Sequence, residues 1–183
     1  NGFKTLRILS DSYSTPFDEN RKGLNLGEAG ALLVLESEEI VQKENKKVLA
    51  YVKGYGNAND AYHQTASSAN GDGATMAMEK ALKIAQLSPS DIDYVNAHGT
   101  ATPNNDASEG KALKRIFGEQ LPPFSSTKAF TGHTLAAAGS VEAVYGILAL
   151  QHQLIFPNLN FQTPISELDI VPATQLEKRN IEH

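Results

Sequence analysis

Apolar positions along this chain follow two different regimes, and the change between them divides it. Up to residue 46 the pattern is irregular: a polar opening, then Pro16-Phe17-Asp18, a glycine-punctuated stretch, and the run Ala31-Leu32-Leu33-Val34-Leu35. That run is short, continuous and bounded by turn formers, which predicts a buried strand. Ser37 to Lys43 carries its acids first and its base last, the order a helix dipole favours, so a short helix is expected there. Asn45-Lys46-Lys47 reads as a polar turn.

From Val48 onward, strand-like and helix-like stretches alternate. Leu49 to Gly54 alternates as a strand, and Tyr55 to Asn70 is a loop rich in small and polar residues. Asp72 to Ala85 sets Ala74, Met78, Ala81, Leu82 and Ala85 at helical spacing, and Ser88-Pro89-Ser90-Asp91 is a turn. Ile92 to Ala97 reads as a strand. Asp106 to Phe117 reads as a helix with Leu113, Ile116 and Phe117 inward and Glu109, Lys111 and Lys114 outward. Phe124 to Thr127 is a short strand, and Ala136 to Gln151 is a helix apolar nearly all round, hence expected to be buried. Strands separated by helices imply βαβ units and a largely parallel sheet covered by helices, an α/β architecture.

Composition narrows the picture without changing it. The 183 residues are 40% hydrophobic and 20% charged, values of a globular protein rather than a disordered one. A formal charge of −5 with no basic run argues against nucleic-acid binding, and Lys111, Lys114 and Arg115 read as a solvated helix face. No apolar run approaches the ~20 residues of a membrane span. The opening Asn-Gly-Phe-Lys-Thr-Leu-Arg does not resemble a signal peptide. Cysteine is absent, which excludes a disulfide framework and leaves the cytoplasm as the expected location.

The chemistry concentrates in two segments. Val95-Asn96-Ala97-His98-Gly99-Thr100-Ala101-Thr102-Pro103 and Ser125-Ser126-Thr127-Lys128-Ala129-Phe130-Thr131-Gly132-His133 each deliver a histidine among glycine and small hydroxyl residues, which build cores poorly. His98 follows a predicted strand and His133 a predicted strand plus loop. In α/β sheets groups at carboxyl ends of strands converge on one crevice, so the two histidines are candidate partners. One histidine alone would read as structural; two at equivalent positions do not. A zinc site would need three or four ligands, commonly with a short local pair such as HxxxH, and none is present. Glu142 stands alone in an apolar helix, where a carboxylate is costly to bury unpaired; it either faces solvent or pairs with Lys128 or with a cation near the site.

These segments resemble the C-terminal half of an elongating β-ketoacyl-acyl-carrier-protein synthase, a thiolase-fold condensing enzyme. Phe17-Asp18-x-x-Arg21-x-Gly23-x-x-x-Gly27-Glu28 resembles the family's FDxxRxGxxxGEG element. Asn59-Asp60-Ala61-Tyr62-His63-Gln64-Thr65 resembles its DAYHxT loop. Asn96 to Thr102 resembles NAHGTST, and Ser125 to His133 resembles SSTKSxTGH. Ala136 to Leu150 with Pro157-Asn158-Leu159-Asn160 resembles GAAGxxE…LAL…PPTINL. Five such motifs in register are a specific signature.

The resemblance implies a thiolase-like fold of which residues 1–46 are the tail of the N-terminal half. Residues 47–183 would be the C-terminal half, its mostly parallel mixed sheet covered by helices and incomplete before a closing hairpin. It implies an acyltransferase of fatty acid biosynthesis, performing decarboxylative Claisen condensation of an acyl thioester with malonyl-acyl carrier protein as a cytoplasmic homodimer. His98, His133 and Lys128 would be catalytic, the two imidazoles donating to the malonyl thioester oxygen. The Lys128 cation would keep them neutral by charge repulsion. Thr65, Thr100 and Thr102 would bind the pantetheine arm. Asn96 and Glu142 would ligate a structural Na+ or K+, with no organic cofactor. The family's nucleophilic cysteine has no counterpart here, so the chain alone is expected to be inactive in acyl transfer. Glu28-Ala29-Gly30-Ala31 reverses the family's usual order of small residues, at a place where the backbone approaches closely. A polyketide ketosynthase, which shares the Ser-Ser-Thr-Lys and Asn-Ala-His-Gly-Thr motifs, and a non-catalytic chain-length-factor subunit of the same fold, against which both histidines and Lys128 argue, are the alternative readings.

Overall fold

A computed structural model of the chain describes residues 2–64 and 66–183. In chain order it contains α1 (Gly2–Thr5), α2 (Glu38–Glu44), α3 (Asp72–Ala85), β1 (Val95–Asn96), α4 (Pro103–Phe117), β2 (Phe124–Ser125), α5 (Lys128–Thr131), α6 (Ala138–His152), β3 (Leu154–Ile155) and β4 (Glu177–Lys178). β1 and β2 pair in parallel, with Val95 opposite Phe124 and Asn96 opposite Ser125, and α4 is the crossover between them. β3 and β4 form a separate antiparallel pair. The mixed α/β character expected of the sequence is therefore present, with a parallel pair at its centre.

α3 and α4 pack against one another beside the β1–β2 pair. α4 starts earlier than its hydrophobic period predicts because Pro103 suits the first helical position, where no N–H is needed. Its inward face carries Leu113 and Phe117, which join Phe17, Ala97, Phe124, Ile165, Leu168 and Ile170 in the main core. Phe17 and Phe124 meet edge to face at 5.1 Å. A smaller cluster gathers Ala149, Ile155 and Ile181. Lys111, Lys114 and Arg115 face outward, but they do more than meet solvent. Lys114 donates to the Leu168 carbonyl, and Arg115 pairs with Asp72 at 2.6 Å.

Residues 14–27 are woven into the rest of the chain. Phe17 is fully buried in a left-handed conformation (φ 61°), and its N–H is held by Asp106 Oδ2 at 2.7 Å. The Asp18 carboxylate accepts from the N–H groups of Asn20, Gln162 and Thr163, while Asn158 Nδ2 donates to the Pro16 carbonyl. Arg21 reaches across to the carbonyls of Thr102 and Pro103.

Three expectations need correction. The run Ala31–Leu35 joins no strand, and Leu32 and Val34 are 95% and 86% exposed rather than buried. Residues 49–54 also remain outside the sheet, with Leu49, Tyr51 and Val52 exposed, although Gly54 and Gly56 press closely on α3. A strand needs an edge to bond to, and among the described residues neither segment is given one. The third correction is α6: apolar nearly all round, it buries only Ala138 and Ala149 fully and leaves its middle half-covered.

Asp106 anchors both Phe17 and the turn before α4. We expect Asp106→Ala to lose about 1–3 kcal/mol for each buried amide left unpaired, read as a lower urea midpoint at unchanged slope. An unchanged midpoint contradicts this anchoring role.

Candidate active site

β1 ends at Asn96, and the chain then turns sharply through His98 to Thr102 before α4 begins. The turn runs through backbone that side chains normally avoid: Gly99 has φ +38° and Ala101 φ +63°. Gly99 has no room for a side chain, since a Cβ there would meet Ser126 Cβ at 2.5 Å. Two acids from α4 hold this conformation. Asp106 accepts the Ala101 N–H with both oxygens at 3.1 Å, and Glu109 accepts the N–H groups of His98 and Gly99 at 2.8 Å each. Strain held so firmly is a feature of functional sites. Ser126 Oγ closes the turn from β2's side by donating to the Gly99 carbonyl at 2.8 Å.

The sequence pattern places Glu109 on the outer face of α4, but the structure turns its carboxylate inward. It lies one turn before Leu113, on the same helical face, so helical spacing itself carried the signal. Burial pushes its carboxyl up to about 7 against the opposing pull of the two amides.

β2 delivers the second half of the site. Where a loop was expected after the strand, Lys128–Thr131 forms one helical turn, α5, which points Lys128 inward with 3% of its surface exposed. The Lys128 ammonium has three neighbours. It pairs with Glu142 on α6, donates to the His98 carbonyl, and lies 3.1 Å from His98 Nδ1. His133 stands beside His98, with ring centroids 5.1 Å apart and planes nearly perpendicular. The structure thus brings His98, His133, Lys128 and Glu142 into one place from three separate elements.

Hydrogen bonds assign the tautomers. An ammonium only donates, so His98 Nδ1 accepts from Lys128. His133 Nδ1 accepts the Leu135 N–H at 3.2 Å. In both neutral rings the proton then sits on Nε2. Burial, the Lys128 cation and His133 hold the His98 imidazole down to about 3, and burial with Lys128 lowers His133 as well. Both rings are therefore neutral at pH 7. The Leu135 amide was not anticipated; it is presented by a left-handed backbone at Leu135 (φ 55°), which no side-chain pattern signals.

His98 also lines a polar cleft of about 500 Å³ with Asn59, Asp60, His63, Asn105 and Glu109. Thr100 and Thr102 are buried within the turn, their hydroxyls 2.8 Å apart. Thr65 lies outside the described residues. A larger apolar cleft, between residues 49–54 and α3, contains neither His98 nor His133.

Asn96 Nδ2 donates to the Glu142 carbonyl at 3.2 Å, whereas its Oδ1 is buried with no hydrogen-bond partner among the described residues. An orphaned amide oxygen next to Glu142 fits one ligand of a hard cation that takes oxygen donors. No cluster of three or more His, Asp or Glu suited to a metal occurs among the described residues. Nor is any helix there long and apolar enough to cross a membrane.

Residues 49–162 match the family described as Beta-ketoacyl synthase, C-terminal domain. The chain is 43% identical over 180 residues to 3-oxoacyl-[acyl-carrier-protein] synthase 2 of Staphylococcus aureus, covering 93% of this chain and 45% of that protein. It superposes with a TM-score of 0.91 and 33% identity on the ishigamide ketosynthase/chain length factor, covering 98% of this chain and 44% of the other. It likewise superposes, at a TM-score of 0.90 and 34% identity, on a type II PKS acyl-carrier protein in complex with its ketosynthase bound to the hexaketide. That match covers 99% of this chain and 47% of the other. The chain spans a little under half the length of the relatives it matches. These neighbours carry the thiolase-like ketosynthase fold.

Two measurements check the electrostatics. Below pH 6.5 the unfolded chain binds a proton that native His98 refuses down to about pH 3. His98 therefore makes stability fall as pH drops through that window. Glu109, raised to about 7, acts oppositely, since the native state takes up a proton before the unfolded one does. Urea midpoints between pH 4.5 and 7 should accordingly flatten for His98→Gln and fall more steeply toward acid for Glu109→Gln. Separately, Glu142→Gln should lower stability by about 3–5 kcal/mol by leaving the Lys128 charge uncompensated; an unchanged thermal midpoint contradicts that pairing.

Proposed function

The chain belongs to the β-ketoacyl synthase family, and from that premise we propose that it supplies the enolate-stabilising half of a 3-oxoacyl-acyl-carrier-protein synthase of fatty acid biosynthesis. The observation that carries this reading is the perpendicular pair His98 and His133, both neutral and both with the proton on Nε2. In this reading a malonyl thioester lies with its carbonyl oxygen between the two Nε2–H groups. The bond to the carboxylate breaks, carbon dioxide leaves, and the electron pair moves into an enolate whose oxygen the two donors stabilise. The enolate carbon then attacks the carbonyl of an acyl thioester, forming the new carbon–carbon bond and expelling the thiolate that held the acyl group. The chain has no cysteine, so that thiol comes from outside these 183 residues.

Neutrality is essential to the role: an imidazolium would hand over its proton instead of sharing a hydrogen bond throughout. Lys128 is well suited to enforce it, lying against His98 while Glu142 balances its charge. Thr65, Thr100 and Thr102 would bind the pantetheine arm. Asn96 and Glu142 would hold a structural Na+ or K+, which would fix the geometry behind Lys128 and take no part in the reaction. The full-length protein would work as a cytoplasmic homodimer, with acyl carrier protein delivering both thioesters. That partner is supported by the carrier-protein complex among the structural neighbours. The higher identity to the fatty-acid relative, 43% against 33–34% for the polyketide neighbours, favours the fatty-acid pathway over a polyketide one.

The test is to separate the two half-reactions in the full-length protein. His133→Ala should reduce malonyl decarboxylation by about 10²–10³-fold, the effect of losing one oxyanion donor, while self-acylation by an acyl thioester stays largely intact. Unimpaired decarboxylation by this variant overturns the assignment. The chain 1–183 alone should form no acyl-enzyme.

A further inference from the structure

His98 is held by charged groups that touch its turn and ring, whereas His133 is held mainly through its own backbone. The His133 N–H donates to the Asn25 carbonyl at 2.7 Å, and its carbonyl accepts the Gly27 N–H at 3.1 Å. Together they form a single parallel bridge between Leu26 and His133. The ring's own hydrogen bond, from the Leu135 N–H, is local and moves with the loop. The depth of the His133 imidazole beside His98 is thus set by a segment more than a hundred residues upstream.

The two segments meet glycine to glycine. A Cβ at Gly27 would lie 1.9 Å from the Thr131 carbonyl oxygen, and one at Gly132 would lie 2.8 Å from the Gly27 nitrogen. Gly132 also needs its left-handed backbone (φ 68°), but Gly27 does not lie in that region. Its missing side chain therefore serves close approach and nothing else. Asn25 stiffens the same segment. Its Oδ1 accepts the Ser14 N–H at 2.7 Å, and its Nδ2 donates to the carbonyls of Ser10 and Ser12. By contrast Gly30 has open space around it, so the reversed order of Ala29 and Gly30 leaves the approach untouched.

We propose that Gly27 is a positioning residue for His133, the bare backbone of Asn25–Gly27 setting how closely the second donor stands to the first. This deepens the functional reading above and rests on it. Any side chain at position 27 pushes residues 131–133 away, and the His133 ring shifts relative to a His98 whose turn is held separately by Asp106, Glu109 and Ser126. Misplacement of a reacting group by about 1 Å can cost on the order of 10²-fold.

The experiment compares Gly27→Ala with Gly30→Ala in the full-length protein. Gly27→Ala should lower kcat for malonyl decarboxylation about 10- to 100-fold, with KM and self-acylation changed less than about threefold on the same reasoning. The ring nitrogen resonances of His133 should shift more than those of His98. Gly30→Ala should match the unsubstituted protein. If the unsubstituted protein does not decarboxylate malonyl thioesters, the functional reading itself fails. If it does and Gly27→Ala is unchanged, or loses both half-reactions equally, only the positioning proposal is overturned. Should Gly27→Ala not fold, Asn25→Ala decides, with faster hydrogen exchange at the His133 amide and slower decarboxylation expected. Unchanged exchange and rate there overturn the proposal.

Discussion

A buried ammonium is the constraint on which this structure turns. Lys128 is almost wholly enclosed, and a cation removed from water needs a counter-charge and acceptors for its protons. Glu142 provides the charge, and His98 provides both a carbonyl and a ring nitrogen. Satisfying one side chain therefore forces β1, α5 and α6 into a single arrangement. The same contact fixes the His98 tautomer and adds to burial in keeping the ring neutral, so stability and chemistry draw on one interaction.

Around that cation the site is built from strained backbone held by carboxylates. Asp106 and Glu109 clamp a turn containing Ala101 in a left-handed conformation, and Asp106 also holds Phe17 in one. Each strained residue would relax if its partner were lost, which ties the shape of the His98 turn to the packing of α4 and of the chain's first segment. Glu109 adds a titratable element near neutrality directly behind His98. The backbone bridge from Asn25–Gly27 does for His133 what these acids do for His98, using main-chain bonds in place of charge.

Exposed apolar segments frame the remainder. Leu32, Val34 and Leu35, together with Leu49, Tyr51 and Val52, present strand-forming side chains to solvent, and α6 is half-covered despite an apolar circumference. Apolar surface of this extent is normally covered in a working protein. The ties of the histidine site run among residues 14–27, 96–109, 125–142 and 158–163.

Residue type and spacing alone were enough to expect α2, α3, α4 and α6, the parallel β1–β2 pair, both histidines and the need of Glu142, if buried, for a cation. Those are local signals: helical period, cap chemistry, and the cost of an isolated charge among apolar neighbours. The family resemblance extended them to roles for Asn96 and the threonines. Tertiary structure alone decided three things. It left the runs at 31–35 and 49–54 without strand partners, because a strand exists only where another edge meets it. It brought the Leu135 amide to His133, since hydrogen-bond direction depends on backbone angles that composition does not encode. And it set Gly27 against Gly132, a contact between residues far apart in the chain, which no window of sequence could contain.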